Sequence, residues 1–225
     1  MRVGVLASGE GTNLQALLDT VHGRDVEIVG VASDRPAARA LDRARSAGVA
    51  TAVFERGEFP GRRARDAAMA DWLEAHDVAL VVLAGYMAIL DEAFLERFAG
   101  RIVNVHPSLL PAFPGIRAIE QALAYGAKVF GVTVHYVEPG AVDSGPILLQ
   151  GAVDLPDATE PAEVLAALRP LEHDLLPRAV ALIAAGAVRR DVAHPRRVVI
   201  ETPAPSAAGA VRAGGDPPRP PPAAA

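Results

Sequence analysis

The chain has no cysteine among its 225 residues. That excludes disulfide staples, thiolate nucleophiles and cysteine-based zinc sites together. Aromatic residues make up only 4%, so a core has to be assembled from Val, Leu, Ile and Ala. No basic stripe interleaves with those few aromatics, which speaks against nucleic-acid binding. The six histidines are scattered without a His-x-x-x-His or similar ligand spacing, so no metal site is expected. No apolar run is long enough to span a bilayer. The N-terminus opens on a strand pattern, without a signal peptide's charged region and long apolar stretch. The expectation is a soluble, cytoplasmic protein with no membrane or nucleic-acid partner, acting on small molecules.

What is present is apolar content in short, punctuated runs. Hydrophobic residues reach 51%, ample for one large core. Arg2 to Ala7 reads as a buried strand, and Leu14 to Leu18 has helical character. Val26 to Ala32 is a second strand, Ala37 to Ala47 a helix closed by Gly48, and Ala50 to Phe54 a third strand. Arg62 to Ala75 reads as a helix with Arg62, Arg63 and Arg65 on a solvated face near its start. Val78 to Ala84 is the most apolar strand, and Asp91 starts a helix through Phe98. Such alternation of strand and helix implies α/β architecture: a mostly parallel twisted sheet with helices on both faces. Later, Val129 to Val137 alternates, with Thr133 and His135 on one face, and Pro146 to Val153 follows it. These two strands are expected to form an antiparallel extension of the sheet. Pro161 to Ala185 is helical, with a bend or break expected near Pro170, and Val188 to Ile200 holds a short strand or hairpin. Residues 1–200 are expected to form one domain. Residues 201–225 are almost entirely Ala, Pro and Gly, a composition that cannot build a core and is expected to be disordered.

Three segments carry chemistry. The turn Ser8-Gly9-Glu10-Gly11-Thr12-Asn13 joins a strand to a helix. Its glycines let backbone N–H groups face an anion, and Thr12 or Asn13 is expected to cap the helix. It is neither a dinucleotide fingerprint nor a P-loop, because a third glycine at the right spacing and a Gly-Lys-Ser/Thr are both missing. In the second segment, Asn104 and His106 lie two residues apart in extended chain and so share a side. Pro107, Pro111 and Pro114 end the pairing there and stiffen the loop beyond. An amide can donate to a developing oxyanion, and an imidazole can exchange a proton near neutral pH. Together they suggest acyl-type transfer. A lone histidine at a strand end is more often structural, so this reading needs an acid partner and a substrate anchor. Asp143, in the loop before Pro146, supplies a carboxylate. Ligands of parallel sheets bind beyond the carboxyl ends of the strands. The glycine turn, the Tyr86–Leu90 segment and Asn104–His106 all fall at such ends.

Six motifs, in order, resemble the phosphoribosylglycinamide formyltransferases of the formyltransferase superfamily. They are Ser8 to Asn13, Leu83-Ala84-Gly85-Tyr86-Met87, Asn104 to Pro111, Phe113-Pro114-Gly115, Asp143-Ser144-Gly145-Pro146 and Glu172-His173, all within a match running from Arg2 to Ile200. The resemblance implies a Rossmann-like formyltransferase fold and transfer of a formyl group from 10-formyltetrahydrofolate to glycinamide ribonucleotide in purine synthesis, without a metal. It implies Asn104, His106 and Asp143 as the catalytic set. Gly11, Thr12 and Asn13 would hold the ribonucleotide's phosphate, and Glu172 its glycinamide end. Met87, Ala88, Ile89 and Leu90 would run along the pterin, with Asn104 beside it and Arg62 near the folate's glutamate tail. The chain departs from the family pattern at Ala88, where many relatives carry Arg or Lys, at Arg117, often His, and in a loop from His135 to Asp143 that is one residue longer. A formyltetrahydrofolate hydrolase and a non-catalytic binding module are the competing expectations. Either a monomer or a homodimer is compatible with the resemblance.

Overall fold

The structure is a computed structural model, and it describes residues 1–201. The disordered tail expected beyond residue 201 lies outside the described residues. Glu201 itself is held: its N–H donates to the carbonyl of Ala187 at 2.8 Å and its carboxylate pairs with Arg189.

In chain order the elements are β1 (Arg2–Leu6), α1 (Thr12–Thr20), β2 (Glu27–Ser33), α2 (Arg39–Ser46) and β3 (Ala50–Val53). A short 3-10 turn at Arg56–Glu58 leads to α3 (Arg62–Ala75), β4 (Leu80–Leu83), α4 (Glu92–Arg97) and β5 (Ile102–His106). Then come α5 (Ala118–Tyr125), β6 (Val129–Tyr136), β7 (Ile147–Asp154), α6 (Pro161–Ala184), β8 (Val188–Arg190) and β9 (Val198–Ile200). Seven strands form one sheet in the order β3-β2-β1-β4-β5-β6-β7, and β8 pairs with β9 as a separate hairpin. Strands β1 to β5 are parallel, while β6 is antiparallel to both neighbours.

The apolar runs are continuous because the sheet is covered on both sides. In β4, Leu80 and Val82 enter the core under α1, α2, α5 and α6, whereas Val81 and Leu83 enter the core under α3 and α4. In β5, Val103 and Val105 face the first core and Ile102 the second. Asn104 and His106 therefore project on the α3/α4 side.

Helix α6 runs unbroken for 24 residues despite Pro170 and Pro177 inside it, so of the bend or break expected near Pro170 the break does not occur. Each internal proline costs about 3 kcal/mol. Against that, Val164, Leu168, Leu175, Leu176 and Val180 are all buried along the helix, each contributing about 1.5–3 kcal/mol. Packing outweighs propensity. No helix among the described residues is long and apolar enough to cross a membrane.

Gly11 sets the junction of β1 and α1. Its φ is 72°, and a Cβ there would sit 2.7 Å from the Cα of Ala40 at the start of α2. Gly11→Ala is thus expected to lower unfolding free energy by more than about 1 kcal/mol in urea denaturation. Unchanged stability would contradict the close approach of α2 to this turn.

Candidate active site

Adjacent strand ends gather the site. The carboxyl ends of β1, β4 and β5 are neighbours at the point where the chain order of the parallel strands reverses, since β1 has β2 on one side and β4 on the other. Two strand spacings place the outer pair of ends about 10 Å apart. Ser8, just past β1, knits them together. Its hydroxyl donates to Asp34 beyond β2 at 2.5 Å and accepts the N–H of Met87 beyond β4 at 2.9 Å.

At β5 the antiparallel register sets Asn104 opposite His135 and His106 opposite Thr133. Two groups from β5 and two from β6 therefore share one face. Asp143 reaches the same place from the loop joining β6 to β7, with φ at 53°. Its Oδ2 accepts the N–H of Gly115 at 2.7 Å and lies 3.3 Å from His106 Nδ1. Its Oδ1 lies 3.5 Å from both His135 Nε2 and Asn104 Nδ2. Burial pushes the Asp143 carboxyl up, but His135, the Gly115 N–H and the charge of His106 together bring it below the usual carboxylate value. Asp143 is therefore an anion held by converging donors.

The other ring nitrogens are engaged as well. His106 Nε2 donates to the carbonyl of Phe113 at 2.9 Å, and His135 Nδ1 to that of Tyr136 at 2.8 Å. The edge of His106 that faces the site is therefore Nδ1. Asn104 Nδ2 also lies 3.2 Å from His135 Nε2. His135, 1% exposed, was not singled out from the sequence. Its alternation with Thr133 was visible, but its meeting with Asn104 depends on the register of β6 on β5, which periodicity does not give. Thr133 braces the following loop: its hydroxyl donates to the Ser108 carbonyl at 2.7 Å and accepts the Leu110 N–H at 3.1 Å.

The loop bearing Asp143 closes at a narrow neck. Tyr136 N–H donates to the Pro146 carbonyl at 2.9 Å, and a Cβ on residue 145 would fall 1.8 Å from the Tyr136 carbonyl oxygen. Only glycine fits there.

On the β1 side, helix α1 starts at Thr12 with Gly11 as its N-cap and no side-chain cap. The expected capping by Thr12 or Asn13 does not occur. Asn13 is buried and directed elsewhere, its Nδ2 donating to Glu172 Oε2 at 3.0 Å while its Oδ1 has no partner. Burial raises the Glu172 carboxyl above its usual value, against the Asn13 hydrogen bond and the charge of His173, which lower it. The first backbone N–H groups of α1 thus lie beside a buried amide and carboxyl, an arrangement suited to an anion with a polar extension.

A cavity of about 580 Å³ opens beside β4's end, lined by Arg56, Arg62, Arg65, Met87, Ile89 and Ile116 among others. Arg62, Met87 and Ile89 are where the resemblance puts the folate. Ala88 does not line this cavity, and Leu90, 8% exposed, packs into the α3/α4 core. Arg65 was expected on a solvated helix face, yet it is 2% exposed. Its partner explains this: the guanidinium meets the fully buried Asp66 at 2.6 Å, and Asp66 in turn accepts the Asp91 N–H at 2.7 Å. Arg117 is the N-cap of α5 at φ 61° and lies 3.7 Å from Glu120.

A family model for formyl transferases matches residues 1–180. The chain belongs to the formyl transferase family. It is 44% identical over 184 residues to the phosphoribosylglycinamide formyltransferase of Mycobacterium tuberculosis, covering 81% of this chain and 85% of that one. It is 42% identical over 193 residues to the trifunctional purine biosynthetic protein adenosine-3 of Drosophila pseudoobscura pseudoobscura. That match spans 84% of this chain and only 14% of the fly protein's length. The crystal structure of glycinamide ribonucleotide transformylase 1 from Symbiobacterium toebii superposes with a TM-score of 0.85 at 45% identity, covering 90% of this chain and 94% of that one. In this formyl transferase the matched stretch includes β1 to β7 and most of α6, hence every site residue named above.

Two outcomes test the geometry. Gly145→Ala is expected to displace the Asp143 loop and reduce turnover about 100-fold, since a 1 Å misplacement suffices for that. Near-normal turnover would show that the neck does not govern the carboxylate. Glu172 gives a pH signature. Because its folded-state value is raised, the native state binds its proton more readily than the unfolded chain, and stability is lost as pH rises through that interval. Glu172→Gln is therefore expected to raise the melting temperature at pH 7, with the gain vanishing below about pH 4.5, where both states are protonated. A lower melting temperature at pH 7 would contradict the burial penalty.

Proposed function

We propose that the chain transfers the formyl group of 10-formyltetrahydrofolate to the amine of 5′-phosphoribosylglycinamide, a step of de novo purine (IMP) biosynthesis. The observation that carries this is the convergence of Asn104 Nδ2 and His106 Nδ1 on one carboxylate, Asp143, at the end of β5. Donors gathered there receive negative charge wherever it develops nearby.

The residues divide the work as follows. The first N–H groups of α1, at Gly11, Thr12 and Asn13, hold the phosphate, and Glu172 meets the glycinamide end. The cavity beside Met87 and Ile89 takes the folate, with Ala88 and Leu90 contributing through the same segment and Arg62 pairing with the folate's carboxylate tail. The substrate amine attacks the formyl carbon, and the carbonyl electrons move to oxygen. Asn104 and the Nδ1 edge of His106 stabilise that oxyanion. Asp143 holds that edge of His106 in place and, through water, passes the proton from the attacking amine to the leaving folate nitrogen. Collapse of the intermediate then releases tetrahydrofolate and the formylated amine. The formyl carbon is already electrophilic, so the step calls on no metal. All these residues lie in one chain, so a monomer or a homodimer serves equally.

Hydrolysis of the same folate is the competing reaction. The uncapped start of α1 beside Asn13 and Glu172 favours transfer, because water needs no phosphate anchor. Purified protein is expected to deformylate 10-formyltetrahydrofolate only when the ribonucleotide is present. His106→Ala is expected to lower kcat at least about 100-fold, the usual loss for an oxyanion donor. Deformylation without the amine would support the hydrolase, and a fully active His106→Ala would remove His106 from the mechanism.

A further inference from the structure

The hairpin β8–β9 follows the stretch that the family model matches, which ends at residue 180. It nevertheless touches the loop that carries Asp143 at two places. Arg196 donates from Nη2 to the carbonyl of Ser144 at 2.9 Å. Arg190 pairs with Glu138 at the loop's start and stacks its guanidinium 4.9 Å from the centroid of the Tyr136 ring. Tyr136 and Glu138 lie where the loop departs, and Ser144 lies next to Asp143 where it returns.

The loop's own contacts do not secure it evenly. Its base is fixed by the Val137 N–H to the Ile102 carbonyl at 2.9 Å and by the Tyr136–Pro146 bond. Its tip, Pro139 to Val142, is exposed. Between them, Asp143 adopts φ 53°, a conformation uncommon for residues with a side chain, although Asp tolerates it better than most. The Ser144 hydroxyl donates to Ala141 at 2.6 Å, which shapes the loop but ties it to nothing else. Arg196 supplies a link from the Ser144–Gly145 peptide, one residue beyond Asp143, to a separate element.

We propose that the β8–β9 hairpin braces the Asp143 loop, with Arg190 and Arg196 as positioning residues for the reaction. This rests on the formyl-transfer reading for its catalytic consequence, though not for the brace itself. Neither arginine reaches the substrate. Arg190 holds the loop's start and Arg196 its end, so that the carboxylate stays within reach of His106, His135 and Asn104. Exposed ion pairs by themselves contribute little. A charge-assisted hydrogen bond to a carbonyl next to a residue at positive φ has more leverage, because losing it frees a conformation that is locally unfavourable.

Arg196→Ala, Arg196→Lys and Arg189→Ala decide the matter. Arg189 lies on the same hairpin but pairs with Glu201 and not with the loop, so it controls for loss of an exposed arginine from the hairpin. Amide hydrogen exchange of residues 137–145 and of Gly115, whose N–H is held by Asp143, reads loop placement without any substrate. In Arg196→Ala these amides are expected to exchange faster, and kcat to fall about tenfold, the loss of one hydrogen bond to a charged donor. KM for the ribonucleotide should stay within about twofold, because its proposed anchors are on α1 and α6. Arg196→Lys should recover most of both effects, and Arg189→Ala should show neither. Unchanged loop exchange in Arg196→Ala, or the same change in Arg189→Ala while the β8 and β9 amides stay protected, overturns the brace. A wild-type protein without ribonucleotide-dependent turnover would overturn the formyl-transfer reading, while the exchange data would still judge the brace.

Discussion

The two oxygens of the Asp143 carboxylate are approached by one backbone N–H and three side chains from three parts of the chain: Gly115, His106, Asn104 and His135. The C-terminal half of the fold is arranged to make that meeting possible. Strand β6 reverses against β5, which brings His135 alongside Asn104. The chain then has to return a carboxylate from beyond Tyr136 to the end of β5, and it does so through a neck that admits only Gly145. The proline-stiffened loop after His106 completes the enclosure, with the Phe113 carbonyl orienting the imidazole and the Gly115 N–H meeting the carboxylate. Buried charge of this kind is costly unless every partner is present. The net lowering of the Asp143 carboxyl shows that here the partners outweigh the burial.

In the proposed reaction the N-terminal half has a different task, which is to offer surfaces to two small molecules at the carboxyl end of the sheet. Parallel strands place their loops at the same end. Ser8 locks three of those loops to one another with two hydrogen bonds. The Arg65–Asp66 pair does the same for the start of α3 and the segment ending at Asp91. The walls of the cavity are thus fixed by buried polar contacts, while its lining residues Met87, Ile89 and Ile116 stay exposed. In the proposed reaction the phosphate end and the folate end of the site meet only at Asn104, His106 and Asp143.

Much of this was legible in the residues. Alternating runs gave the parallel sheet, its antiparallel extension and the ends at which ligands gather, because burial on two faces leaves continuous apolar strands. Asn104, His106 and Asp143 could be proposed together from spacing and family likeness, and the fold does bring them together. What escaped was set by tertiary context. His135 was hidden in strand alternation, since register is invisible along one strand. Arg65 looked like surface because its compensation, Asp66, is the adjacent residue and both turn inward. Leu90 was placed along the pterin by family likeness, and it packs into the core. The cap at Gly11 went to the backbone because Asn13 is drawn to Glu172, which lies 159 positions further along the chain. The continuity of α6 through Pro170 reflects buried side chains along its length that local propensity does not count.

The central claim is that His106 and Asp143 act as one unit at the end of β5. A double-mutant cycle on kcat with His106→Ala, Asp143→Asn and the combination tests it most directly. Groups acting as a unit are strongly non-additive. The account predicts that the double variant is no slower than the slower single variant, to within about threefold. Fully multiplicative losses would mean that the two groups act independently, and the shared-carboxylate mechanism would be wrong.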